Sequence, residues 1–292
     1  MGIMSAVVGL TNLVAEVISL GVGAGCQRFF GLRLGHGDKE GLKAYFWSSA
    51  MFIFLIYLFA SSALLILGLL GMNVGAFTSS MFFLASVILF FQASVPFQSL
   101  LTSLLKTDVI FYANVIGSAL KFVVGVTLVI LGLSWFGAGL GYAVASMVFF
   151  ILTAAYCLKL VGLGPSWQRS ALIDVLKAGF ASWLPTVIAT LGHWLGVLMV
   201  FGTVGAVETG HYYVALAIAS VVLMIAASLT SLLLPVLSGM GNGRKRAASR
   251  VLRISLAFMM PAAVFVGLHP WPPLACWGIG MSMPAPYSQR CC

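Results

Sequence analysis

The residues able to do chemistry in this chain are few, and most stand in polar breaks between long apolar runs. Glu16, Lys121 and His193 are the exceptions. An ionised group in hydrocarbon costs at least about 2.5–3.5 kcal/mol on insertion scales, so each is a candidate functional group. Glu16 precedes Arg28 by about 18 Å of helix at 1.5 Å per residue, which puts it near the middle of a bilayer. Three readings fit it: a site for a coupling cation, Na+ or a proton; the partner of a cavity cation; or a carboxyl held neutral by burial. Lys121 lies too deep in its run for easy escape to the membrane edge, and its charge suits an anionic group. Snorkelling, or a stabilising pair with Glu16, is the plainer account. His193, in mid-run beside Trp194, fits a cavity-lining or titrating role, and more simply a packing histidine. Arg28, next to Gln27 and followed by Arg33, offers bidentate donors to an anionic headgroup. Charge anchoring at the membrane edge explains it nearly as well.

Asn12, Gln92 and Asn114 are further embedded polar groups, for which hydrogen bonding between helices is the default. The remaining chemistry is thin. Asp38, Glu40, Asp108 and Asp174 fall at loops or span edges, so no catalytic constellation assembles and an enzyme is the weak hypothesis. Cys26, Cys157, Cys276, Cys291 and Cys292 form neither a disulfide framework nor a metal-ligand spacing, and no cofactor motif is present. The glycine clusters at 21–25 and 137–141 lack the Lys-Ser/Thr of a phosphate loop. Gly21/Gly25, Gly137/Gly141 and Gly192/Gly196 instead have the spacing that lets membrane helices approach closely. Pro96, Pro185, Pro235 and Pro261 are hinge candidates.

The elements that must position these groups follow from composition. The chain has 292 residues, 61% hydrophobic and 7% charged, with a mean hydropathy of +1.11. So few charges cannot clothe a water-soluble particle, and lipid must be the main solvent. Apolar runs near 3–27, 45–70, 76–105, 110–133, 136–160, 179–201, 210–236 and 250–268 predict an all-α integral membrane protein, a polytopic bundle of about eight transmembrane helices. The runs are too long for barrel strands and lack their alternation. Trp47, Trp135, Trp167 and Trp183 fall near the proposed span ends, as interfacial anchors do.

Thirteen of the fifteen Lys and Arg residues fall in alternate connections, whereas 71–79, 132–138 and 202–211 contain none. Positive charge in short loops stays cytoplasmic, so the net charge of +9 is topological and not the footprint of a nucleic acid. The chain is expected to be a multi-pass protein of the cytoplasmic membrane with its N-terminus outside.

At an offset of 206 residues, Gly35–Glu40 (GHGDKE) overlies Gly241–Arg246 (GNGRKR), each a glycine turn with basic residues after a long span. A parallel six-plus-six repeat would explain it. Leu20–Leu42 (LGVGAGCQRFFGLRLGHGDKEGL) then resembles the end of the second span and the following loop in polysaccharide exporters of the multidrug/oligosaccharidyl-lipid/polysaccharide (MOP) flippase superfamily. Asp174–Pro185, Gly210–Ala217 and Leu234–Ser238 resemble that family's seventh and eighth spans.

The resemblance implies a partial two-lobe architecture: first-lobe helices over 1–160, a cytoplasmic linker over 161–178 and a partial second lobe over 179–268. A Pro-rich tail of atypical character, 269–292, follows. Measured against the family's twelve or fourteen spans, the chain corresponds to spans two to nine, and truncation or a disrupted reading frame is the leading expectation. The implied function is a flippase-like transporter of a lipid-linked oligosaccharide, working by alternating access. Lys121, Arg28, Glu16 and His193 are its candidate cavity residues, and the oligosaccharide diphosphate, the bilayer and polysaccharide assembly proteins its partners. A cation-coupled multidrug exporter and a non-transporting remnant are the alternatives.

Overall fold

The computed structural model describes residues 2–162, 164 and 166–220, together with 246, 249, 252–254, 256–257, 260–261 and 264. Helices α1 (Gly2–Ser19), α2 (Val22–Gly35), α3 (Lys39–Leu69), α4 (Ser79–Phe91), α5 (Val95–Ser103), α6 (Thr107–Leu128), α7 (Ser134–Val161) and α8 (Arg169–Thr203) follow in order, and residues 206–220 are again helical. The expected all-α bundle is what forms. Gly2–Ser19, Lys39–Leu69, Ser79–Ser103, Thr107–Val161 and Arg169–Thr203 are long and apolar enough to cross a membrane. The fourth of these is a hairpin, turning at 129–133 so that Gly141 meets the Lys121 carbonyl and Gly117 faces that of Ala145. All six apolar runs between residues 3 and 201 are thus helical, and each contains a segment long and apolar enough to cross. The last two runs, the loop at 241–246 and the tail fall wholly or largely outside the described residues, as does Pro235.

Three boundaries differ from the sequence expectation. The run 3–27 is not one span but α1 and α2, broken at Leu20 and Gly21, whose φ angles of 48° and 70° are both left-handed. Gly21 takes that conformation without a Cβ penalty, and its bare Cα lies against the Gly179 carbonyl of α8, where a side chain would collide. The run 76–105 is split as well. A turn of 3-10 helix, Gln92–Ser94, offsets α5 from α4, and Pro96 in the first turn of α5 has no N–H to continue the ladder. Finally, α8 begins at Arg169, so residues 169–178 of the stretch read as a linker are its first turns, leaving 162–168 as the connection.

Packing follows the pleat of small and large residues. One core joins Val22 and Phe30 of α2, Phe46 and Tyr57 of α3, Leu100 of α5 and Val175 of α8; a second, toward the other end, joins Val7, Leu84, Ile88 and Phe201. The basic connections before α3 and before α8 meet at one end of the bundle. There Ser48 accepts the Gln168 backbone N–H at 2.8 Å, and the Tyr45 hydroxyl donates to Asp174 at 2.9 Å. Asp38 caps α3 by accepting the Gly41 N–H at 2.8 Å and pairs with Arg33 at 2.7 Å. The Gly41 N–H, helped by the Arg33 guanidinium, holds the Asp38 carboxyl below its ordinary range.

Candidate functional site: two adjoining polar chambers

Breaking two helices inside an apolar bundle frees polar groups that must find partners. At the end of α1 the Ala15 carbonyl accepts the Tyr57 hydroxyl at 3.0 Å, and the Glu16 carbonyl accepts the Trp183 indole N–H at 3.2 Å. Just past the break, in the first turn of α2, the Gly23 carbonyl accepts the Ser99 hydroxyl of α5 at 3.1 Å. These bonds tie α1, α2, α3, α5 and α8 around a cavity of about 1010 Å³. Asn12 and Glu16 line it from α1, Gln27 from α2, Gln92 and Ser94 from the bend, and Trp183, Thr186, Thr190 and Trp194 from α8. Its lining is rich in amides and hydroxyls, with Glu16 the one carboxylate and no Lys or Arg among the described residues.

A second cavity of about 390 Å³ lies between α6 and α7 and shares Gln92, Ser94, Gln98 and Ile110 with the first. Asn114, Ser118 and Lys121 line it from α6, and Tyr142 and Ser146 from α7. The Lys121 ammonium sits 4.0 Å from the centre of the Tyr142 ring, within cation–π range. The bend at 92–94 therefore separates a roomy chamber bearing a carboxylate from a smaller one bearing an ammonium.

The four sequence candidates divide accordingly. Glu16 and Lys121 are both half-buried and face adjoining chambers. Among the described residues they form no ion pair with each other, the pairs being Arg33–Asp38 and His211–Glu208. Arg28 and His193 line neither chamber. Arg28 is exposed, its guanidinium 5.9 Å from the Phe29 ring, and His193 packs edge-on against Trp194 at 4.9 Å. Asn12 and Gln92 take the expected bond between helices, Gln92 Nε2 donating to Asn12 Oδ1 at 3.0 Å, and both also face the large chamber. Gln92 Oε1 is left buried without a partner.

Trp183 corrects a sequence reading. Because α8 starts ten residues earlier than the apolar run suggested, Trp183 is a mid-helix residue lining the chamber, not an interfacial anchor. Gln98, Tyr142, Thr186, Thr190 and Trp194 went unremarked as chamber residues. The signal was available in α8, where 183, 186, 190 and 194 share one face of a 3.6-residue helix.

The fold matches that of a MOP superfamily transporter from Pyrococcus furiosus Vc1 (DSM3638). The TM-score is 0.57 at 17% sequence identity, over 90% of this chain and 62% of that one. For that protein a reversed polarity of the binding pocket has been taken to suggest a different function. This chain thus spans under two thirds of the length of the solved structure whose fold it shares. A family model described as polysaccharide biosynthesis protein matches residues 5–269, and the chain belongs to that family. No curated protein sequence matches it. Family and fold bear out the resemblance carried by Leu20–Leu42 and Asp174–Pro185, and they make the chain a multi-pass membrane protein.

Proposed function

We propose that the chain serves the transport of a lipid-linked oligosaccharide across the cytoplasmic membrane. The observation that carries this reading is the pair of adjoining polar chambers inside an otherwise apolar bundle. The membrane excludes a glycan because each hydroxyl loses its water on entry. A chamber of amides and hydroxyls replaces those hydrogen bonds, and its volume is at the upper end of ligand sites. A diphosphate needs positive charge, and Lys121 supplies it in the smaller chamber, with Asn114 and Ser118 as neighbouring polar groups. Glu16, in the larger chamber, is the proposed site of a coupling cation, Na+ or a proton. By this reading the chain works by alternating access, as a transporter and not an enzyme, with 1–160 and 179–268 belonging to two lobes. Arg28 meets anionic headgroups at the basic end, which faces the cytoplasm, and His193 has a packing role. Polysaccharide assembly proteins are the expected partners; nucleic acid is not.

The test is flipping of a fluorescent lipid-linked sugar by the purified protein in vesicles. Bleaching of the label by an external reductant should reveal a protein-dependent fraction that crosses. A second reading, a cation-coupled multidrug exporter, is favoured by one observation: the large chamber carries a carboxylate and two indole rings, features that suit an organic cation. Efflux of a cationic dye without sugar flipping would select it, and failure of both would select a non-transporting remnant.

A further inference from the structure

The face of α8 that lines the large chamber has a regular build: Trp183, Thr186, Thr190 and Trp194. At 1.5 Å per residue the two indoles are about 16 Å apart along the helix, with two hydroxyls between them. Both rings are held in place. Trp183 is fixed by its N–H bond to the Glu16 carbonyl and by stacking on Phe180 at 5.3 Å. Trp194 stacks on Tyr213 at 6.1 Å, and its Cε3 lies where a Cβ on Gly9 would come within 3.0 Å, so the bare glycine makes room for the indole. The stripe runs alongside α1 from Glu16 to Gly9, and the Asn12–Gln92 amide pair lines the same cavity.

We propose that this stripe is a track for the glycan portion of the substrate, engaging several consecutive pyranose units of an uncharged oligosaccharide and not a single sugar. The inference rests on the transport reading for its substrate class and adds where the glycan lies and what reads it. A pyranose ring has an apolar C–H face and a rim of hydroxyls. Indole rings offer flat apolar surfaces to the first, while threonine hydroxyls and side-chain amides offer donors and acceptors to the second. Thr186 already donates to the Ser182 carbonyl at 2.8 Å, which leaves its oxygen as an acceptor facing the chamber. The spacing of the indoles selects for length, because a monosaccharide reaches one ring and a short oligosaccharide both. Fixed side chains lose little freedom on binding, which favours a flat, repetitive ligand of this kind. An acidic glycan would be disfavoured by the Glu16 carboxylate in the same chamber.

The experiment is equilibrium binding of unlipidated probe sugars to the full chain in nanodiscs, followed by saturation-transfer NMR. The probes are glucose through maltotetraose and N-acetylglucosamine through chitotetraose. Affinity should climb with chain length in at least one series. Trp194→Leu should lower tetrasaccharide affinity by about two- to tenfold, the range of one aromatic stacking contact, and leave monosaccharide affinity nearly unchanged. Trp183→Leu also removes the bond to Glu16 and risks the fold, so Thr186→Val with Thr190→Val is the companion variant. It keeps side-chain volume and should weaken tetrasaccharide binding. Trp167→Phe, in the exposed connection before α8, is the control. Absence of binding in both series, affinity independent of length, or variants equal to the unaltered chain would each overturn the track. Length-dependent binding without flipping would overturn the transport reading and leave the track standing; intact flipping with length-independent affinity would do the reverse.

Discussion

The two chambers share the bend at Gln92–Ser94 and differ in almost everything else. The larger is walled by broken helices, α1 into α2 and α4 into α5, and by the one long helix α8, whose bonds to it come from the Trp183 indole. The smaller is walled by the α6–α7 hairpin, where Gly141 and Gly117 let two unbroken helices meet backbone to backbone. One holds a lone carboxylate, the other a lone ammonium over a tyrosine ring. A stability device would have brought those charges together, since an unpartnered ion in a low-dielectric interior is costly. Instead the Lys121 ammonium rests on the Tyr142 ring and Glu16 faces the neighbouring chamber, the separation on which the proposed division of substrate between the chambers depends.

The comparison can be broken most directly at Lys121. Lys121→Ala should slow lipid-linked sugar flipping by about a hundredfold, about 2.7 kcal/mol of barrier, while membrane insertion stays near normal. Lys121→Arg should keep part of the rate if charge is what matters. Full transport by Lys121→Ala would remove the small chamber from the pathway.

The walls come next in size. Gly179→Ala would drive a Cβ into the Gly21 carbonyl and should cost about 1–3 kcal/mol, the usual range for overpacking, seen as a lower melting temperature in detergent. Gly192, thirteen residues further along α8, has open space where a Cβ would stand. Gly192→Ala should be neutral or stabilising by up to about 1 kcal/mol. Equal effects at the two glycines would deny that α8 is pressed on α2.

A smaller effect tests whether the two charges are independent. With no ion pair between them, Glu16→Gln should not rescue Lys121→Ala. The double variant should equal the sum of the single ones to within about 0.5 kcal/mol in stability. Rescue would show a structural pair after all.

The smallest effect belongs to the basic end. The folded-state carboxyl of Asp38 is held below its ordinary range by the Gly41 N–H and then by Arg33. Its contribution is therefore present above the unfolded value and lost as pH falls through the lowered one. Melting temperatures of the unaltered chain and of Asp38→Asn should differ slightly at neutral pH and converge in acid. A difference that grew in acid would contradict the capping role.

Much of this protein was legible before any tertiary contact. Long apolar runs require helices because backbone groups have no other partners in lipid, and the six runs between residues 3 and 201 are helical. The basic connections before α3 and before α8 meet at one end, for the same reason that charge avoids hydrocarbon. Glu16 and Lys121 stood out because they violate that rule, and both line chambers. Gly21/Gly25 and Gly137/Gly141 carried their close approaches in the spacing, whereas Gly192 has no neighbour, because only a partner helix distinguishes a packed glycine from an idle one.

Hydropathy is an average over a window, so it could not see that one apolar run was two helices, or that α8 reached back to Arg169. Those breaks depend on what lies across from them: the left-handed Gly21 needs the bare backbone of Gly179, and the α1 carbonyls need Tyr57 and Trp183. The same blindness made Trp183 look like an anchor. Sequence determined the solvent, the element type and the rare charges, because each is set by a residue and its near neighbours. Which face of most helices meets lipid and which meets another helix was decided by tertiary packing, because in a chain this apolar most faces are hydrophobic enough for both.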